Sequence, residues 1–140
     1  MDDIEIARDQ IRKRKLAMVI VKNGEILFET QSHRISGFLD AICSLDEQLR
    51  DSAIADRVVG KAVALLCVYI KAKTVYAEVL SKHARIVLDE HGIACSWREL
   101  VEYILNADKS GLCPFEKIAQ NISNPDMAFD AFEKFRKTLS

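Results

Sequence analysis

The chain has two prolines, five glycines and one tryptophan among 140 residues, no Cys-x-x-Cys pair, and no excess of either charge. So little proline and glycine excludes collagen-like and low-complexity linker classes. With 20 basic against 21 acidic side chains, no overall field gathers nucleic acid or anionic lipid. Residues 62–70 form the longest apolar run, bounded by Lys61 and Lys71. A membrane helix needs roughly 18 or more such residues, so no span is expected. Met1-Asp2-Asp3-Ile4-Glu5 lacks the basic and apolar regions of a secretory signal, and a cytoplasmic location follows as the expectation. The cysteines at 43, 67, 95 and 113 are too dispersed for a local zinc knuckle or redox pair, and four free thiols suit a reducing compartment. Three of them sit among apolar neighbours and read as small buried hydrophobes.

What is present fits one ordinary domain spanning residues 1–140. A chain of this length buries roughly 68% of its unfolded surface, enough for a core without disulfide or metal staples. Ile4, Ala7 and Ile11 recur at helical spacing, with acids before them and Arg12-Lys13-Arg14-Lys15 after, predicting an N-terminal helix over 3–15. That basic run has no interleaved aromatics, so dipole complementarity explains it without nucleic acid. Two apolar arms flank Asn23-Gly24, a pair that takes up a type I′ turn cheaply, and a β-hairpin is expected. Ser36 is placed to cap a helix over 37–50, and Asp56 to cap a helix over 57–71 that has no polar face and belongs at the centre of the fold. Thr74 to Leu80 reads as a strand, 82–91 as a helix stopped by Gly92, and 93–95 as another strand. Ser96 is read as the cap of a helix reaching Leu105. Pro114 and Pro125 each open a further helix. Strand-helix-strand units imply right-handed crossovers and parallel pairing, so the fold class is α/β: a three-layer sandwich whose mixed sheet begins with an antiparallel hairpin and carries helices on both faces.

This order is similar to the cytidine-deaminase-like fold. The segments Ala55-Asp56-Arg57-Val58-Val59-Gly60-Lys61-Ala62, Tyr76-Ala77-Glu78-Val79-Leu80-Ser81 and Gly111-Leu112-Cys113-Pro114 resemble signatures of a functionally uncharacterised prokaryotic family in that superfamily. The resemblance covers residues 16–120 and implies that 121–140 is a helical addition. Zinc deaminases place H-x-E at the start of the central helix and P-C-x-x-C at the start of the next, supplying three ligands and a proton-transferring glutamate. The expected central helix opens with Asp56-Arg57-Val58, and the next with Ser81-Lys82-His83-Ala84. The resemblance therefore supplies a scaffold without the metal set, and neither a metal nor another cofactor is expected.

Several polar residues stand out. Gly60 in a helix interior would cost about 1 kcal/mol relative to alanine, which suggests close approach by a backbone or ligand. Lys61, among apolar residues, must reach water or hold an anion. Asp56, Gly60 and Lys61 read either as cap, packing glycine and snorkelling lysine, or as a site. Cys113 precedes Pro114 at a helix start, where unpaired amides favour thiolate, so it is either a reactive thiol or a plain cap. Asn106 and Asp108 lie within loop reach of it. Ser81 falls at a helix start beside the presumed centre; His33, His83 and His91 read as surface residues, with His83, at the same helix start, alternatively facing that centre. Ala128, Phe129, Phe132, Phe135 and Leu139 form a stripe that reads as core, or as a subunit interface.

Two functional expectations follow. In the first, a zinc-independent enzyme or binder takes a small, anionic or nucleotide-like ligand at the head of the central helix, with Asp56, Lys61 and Cys113 acting and Gly60, Ser81, His83, Asn106 and Asp108 binding. In the second, the fold serves as a non-catalytic homo-oligomeric or regulatory module joined through its C-terminal helix.

Overall fold

Alternation along residues 18–21 sets the layering. In the computed structural model, which describes residues 1–32, 35–105 and 111–139, Met18–Lys22 forms strand β1. Val19 and Val21 point to one face of the sheet, Met18 and Ile20 to the other, and all four are buried. Helix α1 (Asp3–Lys13) covers the first face through Ala7 and Ile11. Strand β2 (Glu25–Thr30) returns antiparallel across Asn23-Gly24, both at positive φ (+53° and +81°) as a type I′ turn requires. The Asp3 carboxylate accepts both turn amides at 2.9 Å, tying the start of α1 to the hairpin tip.

Helix α2 (Ile35–Leu45) and a 3₁₀ turn (Asp46–Leu49) lead into β3 (Ala53–Val59), followed by α3 (Lys61–Tyr69), β4 (Thr74–Ser81), α4 (Lys82–Glu90) and β5 (Ala94–Val101). The strand order is β2-β1-β3-β4-β5, with β1 antiparallel to both neighbours and β3, β4 and β5 parallel. Helices α5 (Pro114–Ala119) and α6 (Pro125–Thr138) close the chain. The arrangement is the expected mixed α/β sandwich: a leading antiparallel hairpin, a central helix, and further parallel strands joined by a helix. No helix among the described residues is long and apolar enough to cross a membrane.

Apolar on all sides, α3 lies between the sheet and the outer helices, with Ala62, Ala64, Leu65, Leu66 and Cys67 buried. Phe129 of α6 stacks on Tyr69 of α3 at 4.6 Å between ring centroids. Phe115 of α5 meets Phe132 and Phe135 edge-on at 5.8 and 5.1 Å. The aromatic stripe of α6 thus packs largely within the chain.

Several expectations are corrected. Residues 53–59 form a strand, so Asp56 is not a helix cap. That segment satisfies two ladders at once, with β1 and β4, and the apolar run continuing into α3 hid the boundary. Gly60 is the N-cap of α3 rather than an interior residue. Ser96 opens no helix: β5 pairs along its length with β4, and the alternation of half-buried Cys95 and Trp97 with exposed Ser96 and Arg98 outweighs the serine's capping preference. Ser36 lies inside α2, which starts at Ile35 and ends at Leu45. Cys67 is buried, but Cys43 is exposed beside the α2 stripe and Cys95 sits half-buried on the edge strand.

Truncating Phe132 to alanine should cost about 3–5 kcal/mol in urea-induced unfolding, because the fully buried ring bridges α5 to the core. Leu139→Ala, at a residue 66% exposed, should stay within about 0.5 kcal/mol. A loss below 1 kcal/mol for Phe132→Ala would show α6 to be peripheral.

Candidate functional site

A cavity of about 510 Å³ opens where β3 ends and α3 begins, a volume within the range that holds small ligands. Its walls are mainly carbon, from Met18, Ile35, Phe38, Val63, Ile104 and Phe115. The polar groups reaching it include Asp56, Glu116, Arg136 and Cys113.

Asp56 is placed there by strand alternation. It shares the sheet face of Met18 and Ile54, whereas its neighbour Arg57 points to the α1 face, where it donates to the Ile11 carbonyl at 2.8 Å and lies 3.9 Å from Glu78. The nearest cation in sequence is therefore turned to the other side of the sheet. Withdrawal from water pushes the Asp56 carboxyl up to about 7, while main-chain amides of Val58 and Arg57 and the Arg57 charge pull weakly the other way. The Val58 amide donates to Asp56 Oδ1 at 3.2 Å.

Glu116 arrives from α5. As the third residue of a helix capped by Cys113, it would ordinarily reach back to the cap amide. That amide instead donates to the Ile104 carbonyl at 3.2 Å, and Glu116 turns to α3, where Oε1 accepts from the Ala62 amide at 3.4 Å. Gly60 offers α3 no capping side chain, so the carboxylate of another helix does the work. A Cβ at Gly60 would land on Glu116 Oε1, 2.5 Å from Cδ, and 2.8 Å from Ile104 Cγ1. The close approach expected at Gly60 is made by this carboxylate. Burial holds Glu116 near 7 as well, against the lowering effect of the Ala62 and Lys61 amides and the Lys61 charge. A carboxyl titrating near neutrality can take or give a proton at ordinary pH.

Of the residues expected at the site, Asp56, Gly60 and Cys113 line this one cavity. Lys61 does not: its Nζ donates to the Gln120 carbonyl at 3.4 Å, at the end of α5. Ser81 is a buried cap whose Oγ accepts from the Ala84 amide at 3.1 Å. Together with exposed His83, whose ring lies 6.2 Å from that of Tyr103, it borders a small adjoining cleft at the head of α4 that shares Ile104 and Glu116 with the cavity. Cys113 caps α5 through its backbone, and its thiol makes no capping bond. Asn106, Asp108 and His33 lie outside the described residues. Sequence reasoning missed Glu116 and Arg136; the capping-box position of Glu116 was the available signal for the first.

The deaminase resemblance raises the question of zinc. The head of α3 carries Gly60-Lys61-Ala62 and that of α4 carries Ser81-Lys82-His83, so neither offers a ligand pair. Among the described residues no group of three or more His, Cys, Asp or Glu could hold a metal ion. The residues present do not fit the metal.

Gly60→Ala should destabilise the chain by about 2–3 kcal/mol, through overlap with Glu116 and Ile104. Adding Glu116→Ala should recover part of that loss, giving a double-mutant coupling of about 1 kcal/mol or more in urea unfolding. Strict additivity would contradict the contact.

No curated protein matches the chain. The crystal structure of a DUF1893 family protein (TM1506) from Thermotoga maritima is similar, with a TM-score of 0.84 at 24% identity, covering 94% of this chain and 88% of that one. The apo dCMP deaminase of cyanophage S-TIM5 aligns more loosely, with a TM-score of 0.49 at 17% identity over 71% of this chain and 94% of that one. The model of the TM1506 family, a domain of unknown function (DUF1893), matches residues 6–136, and the chain belongs to that family.

Proposed function

We propose that the chain is a zinc-independent binder of a small molecule, which it takes into the cavity between β3, α3 and α5 with Asp56 as the principal polar contact. The observation that carries this reading is the convergence, in one carbon-walled cavity, of a carboxyl that no ion pair among the described residues neutralises. Packing alone gives no reason for it. A hydrophobic residue at position 56 would suit the sheet face, and a half-buried acid held near 7 subtracts from stability at neutral pH. Groups that cost stability and face a cavity are candidates for function. Cys113 and Gly60 stay within this site, the first as a wall and the second as the space for Glu116. Lys61 serves instead to hold α5 against α3. The alternative of a subunit contact through α6 is weakened by the use of Phe129, Phe132 and Phe135 inside the chain.

Thermal-shift screening of nucleosides, nucleotides, sugar phosphates and organic amines tests the reading, since a ligand raises apparent stability by mass action. At least one compound should raise the melting temperature of the native chain and lose that effect in Asp56→Asn. A panel with no response, or responses indifferent to Asp56→Asn, would overturn it.

The same residue sets a pH dependence. Its carboxyl lies at about 7 in the folded chain against an ordinary 3.8, so between those values the native state holds a proton that the unfolded state has released. Its contribution to stability is complete below about 4 and disappears as pH rises through 7. Asp56→Asn, which keeps an acceptor for the Val58 amide, should therefore raise stability at pH 8 by roughly 2–4 kcal/mol, the lower end allowing for solvent screening of a half-buried carboxyl, and leave it nearly unchanged at pH 4. Equal effects at the two pH values would contradict the assignment.

A further inference from the structure

Resting on that reading, we infer the chemical class of the ligand: a small organic base, a protonated amine or amidine on an apolar body, seated with its cation against Asp56. The argument is one of charge complementarity inside the cavity. Two carboxyl groups, Asp56 and Glu116, reach it without an ion-pair partner among the described residues. The Arg136 guanidinium also borders it but is already committed. Nη1 donates to the Ser36 carbonyl at 3.2 Å and pairs with Asp40, while Nη2 pairs with Glu133 at 2.7 Å. Lys61, the cation on the first turn of α3, leaves the cavity for the Gln120 carbonyl. Arg57 is turned to the opposite face of the sheet. Among the described residues the unpaired charge lining the cavity is thus negative, and the low-dielectric carbon walls focus its field into the opening.

The two carboxylates differ in availability. Glu116 is held by the α3 amides and fills the space over Gly60, so it behaves as part of the wall. Asp56 accepts from its own turn through Oδ1 and keeps acceptor capacity for an incoming donor. A cation with two N–H groups meets a carboxylate through paired, charge-assisted bonds, and Phe38 and Phe115 among the lining residues suit a flat apolar body. A phosphate or carboxylate ligand would instead meet like charge from Asp56 and Glu116.

Three probes of nearly one shape separate the outcomes: benzamidine, benzamide and benzoate, titrated into the full chain by calorimetry at pH 8. Benzamidine should bind at least tenfold more tightly than benzamide, benzoate should give no measurable binding, and the benzamidine advantage should shrink to about twofold or less in Asp56→Asn. Glu116→Gln should retain most of it. Equal binding of the three, tighter binding of benzoate, or no binding of benzamidine to a chain that responds to other panel compounds would overturn the ligand class while leaving the cavity reading in place. Failure of these probes together with the whole thermal-shift panel would remove the cavity reading itself.

Discussion

An all-apolar helix at the centre of a fold has an awkward end: its first amides are buried and need acceptors. In this chain the residue before α3 is glycine and supplies none. The Glu116 carboxylate fills that role from a different helix, 54 residues further along the chain. That cross-helix cap fixes where α5 lies, and α5 contributes Cys113, Phe115 and Glu116 to the cavity. Glycine at position 60 follows directly, since any side chain would occupy the place of the carboxylate. Cap, glycine and cavity wall are three aspects of one contact.

Strand alternation supplies the second constraint. Asp56 and Arg57 are adjacent, yet β3 sends one to the cavity and the other to α1, where Arg57 donates to the Ile11 carbonyl and pairs at 3.9 Å with Glu78, which accepts from the Tyr76 hydroxyl. Sequence proximity would suggest a neutralised pair. The pleat produces an acid without an ion-pair partner among the described residues on one side of the sheet and a well-partnered cation on the other. The fold alone is compatible with many functions, so the proposed ligand class rests on this arrangement of charge.

Much of the architecture was legible wherever one local rule acted alone. The Asn23-Gly24 turn, the start of α4 at Ser81, its stop at Gly92, and the helices opened by Pro114 and Pro125 all follow from short-range stereochemistry. Legibility failed where two rules competed. At 53–59 an unbroken apolar run crosses from strand to helix, so periodicity could not separate them and Gly60 was the sole punctuation. At 96–101 a serine resembling a cap precedes a segment whose pairing with β4 decides its form. At the site, Asp56, Gly60 and Cys113 were identified because they look unnecessary for packing. Glu116 was not singled out, because the amide it caps lies on another helix, and the direction of Lys61 depends on where α5 ends.

The central claim is that two half-buried carboxyl groups, without ion-pair partners among the described residues, meet at one cavity at the head of α3. Carboxyl-carbon NMR titration of the native chain, with Asp56→Asn and Glu116→Gln used for assignment, measures this directly. Two carboxyl groups with apparent midpoints near 7 are predicted, and midpoints near 4 for both would contradict the account.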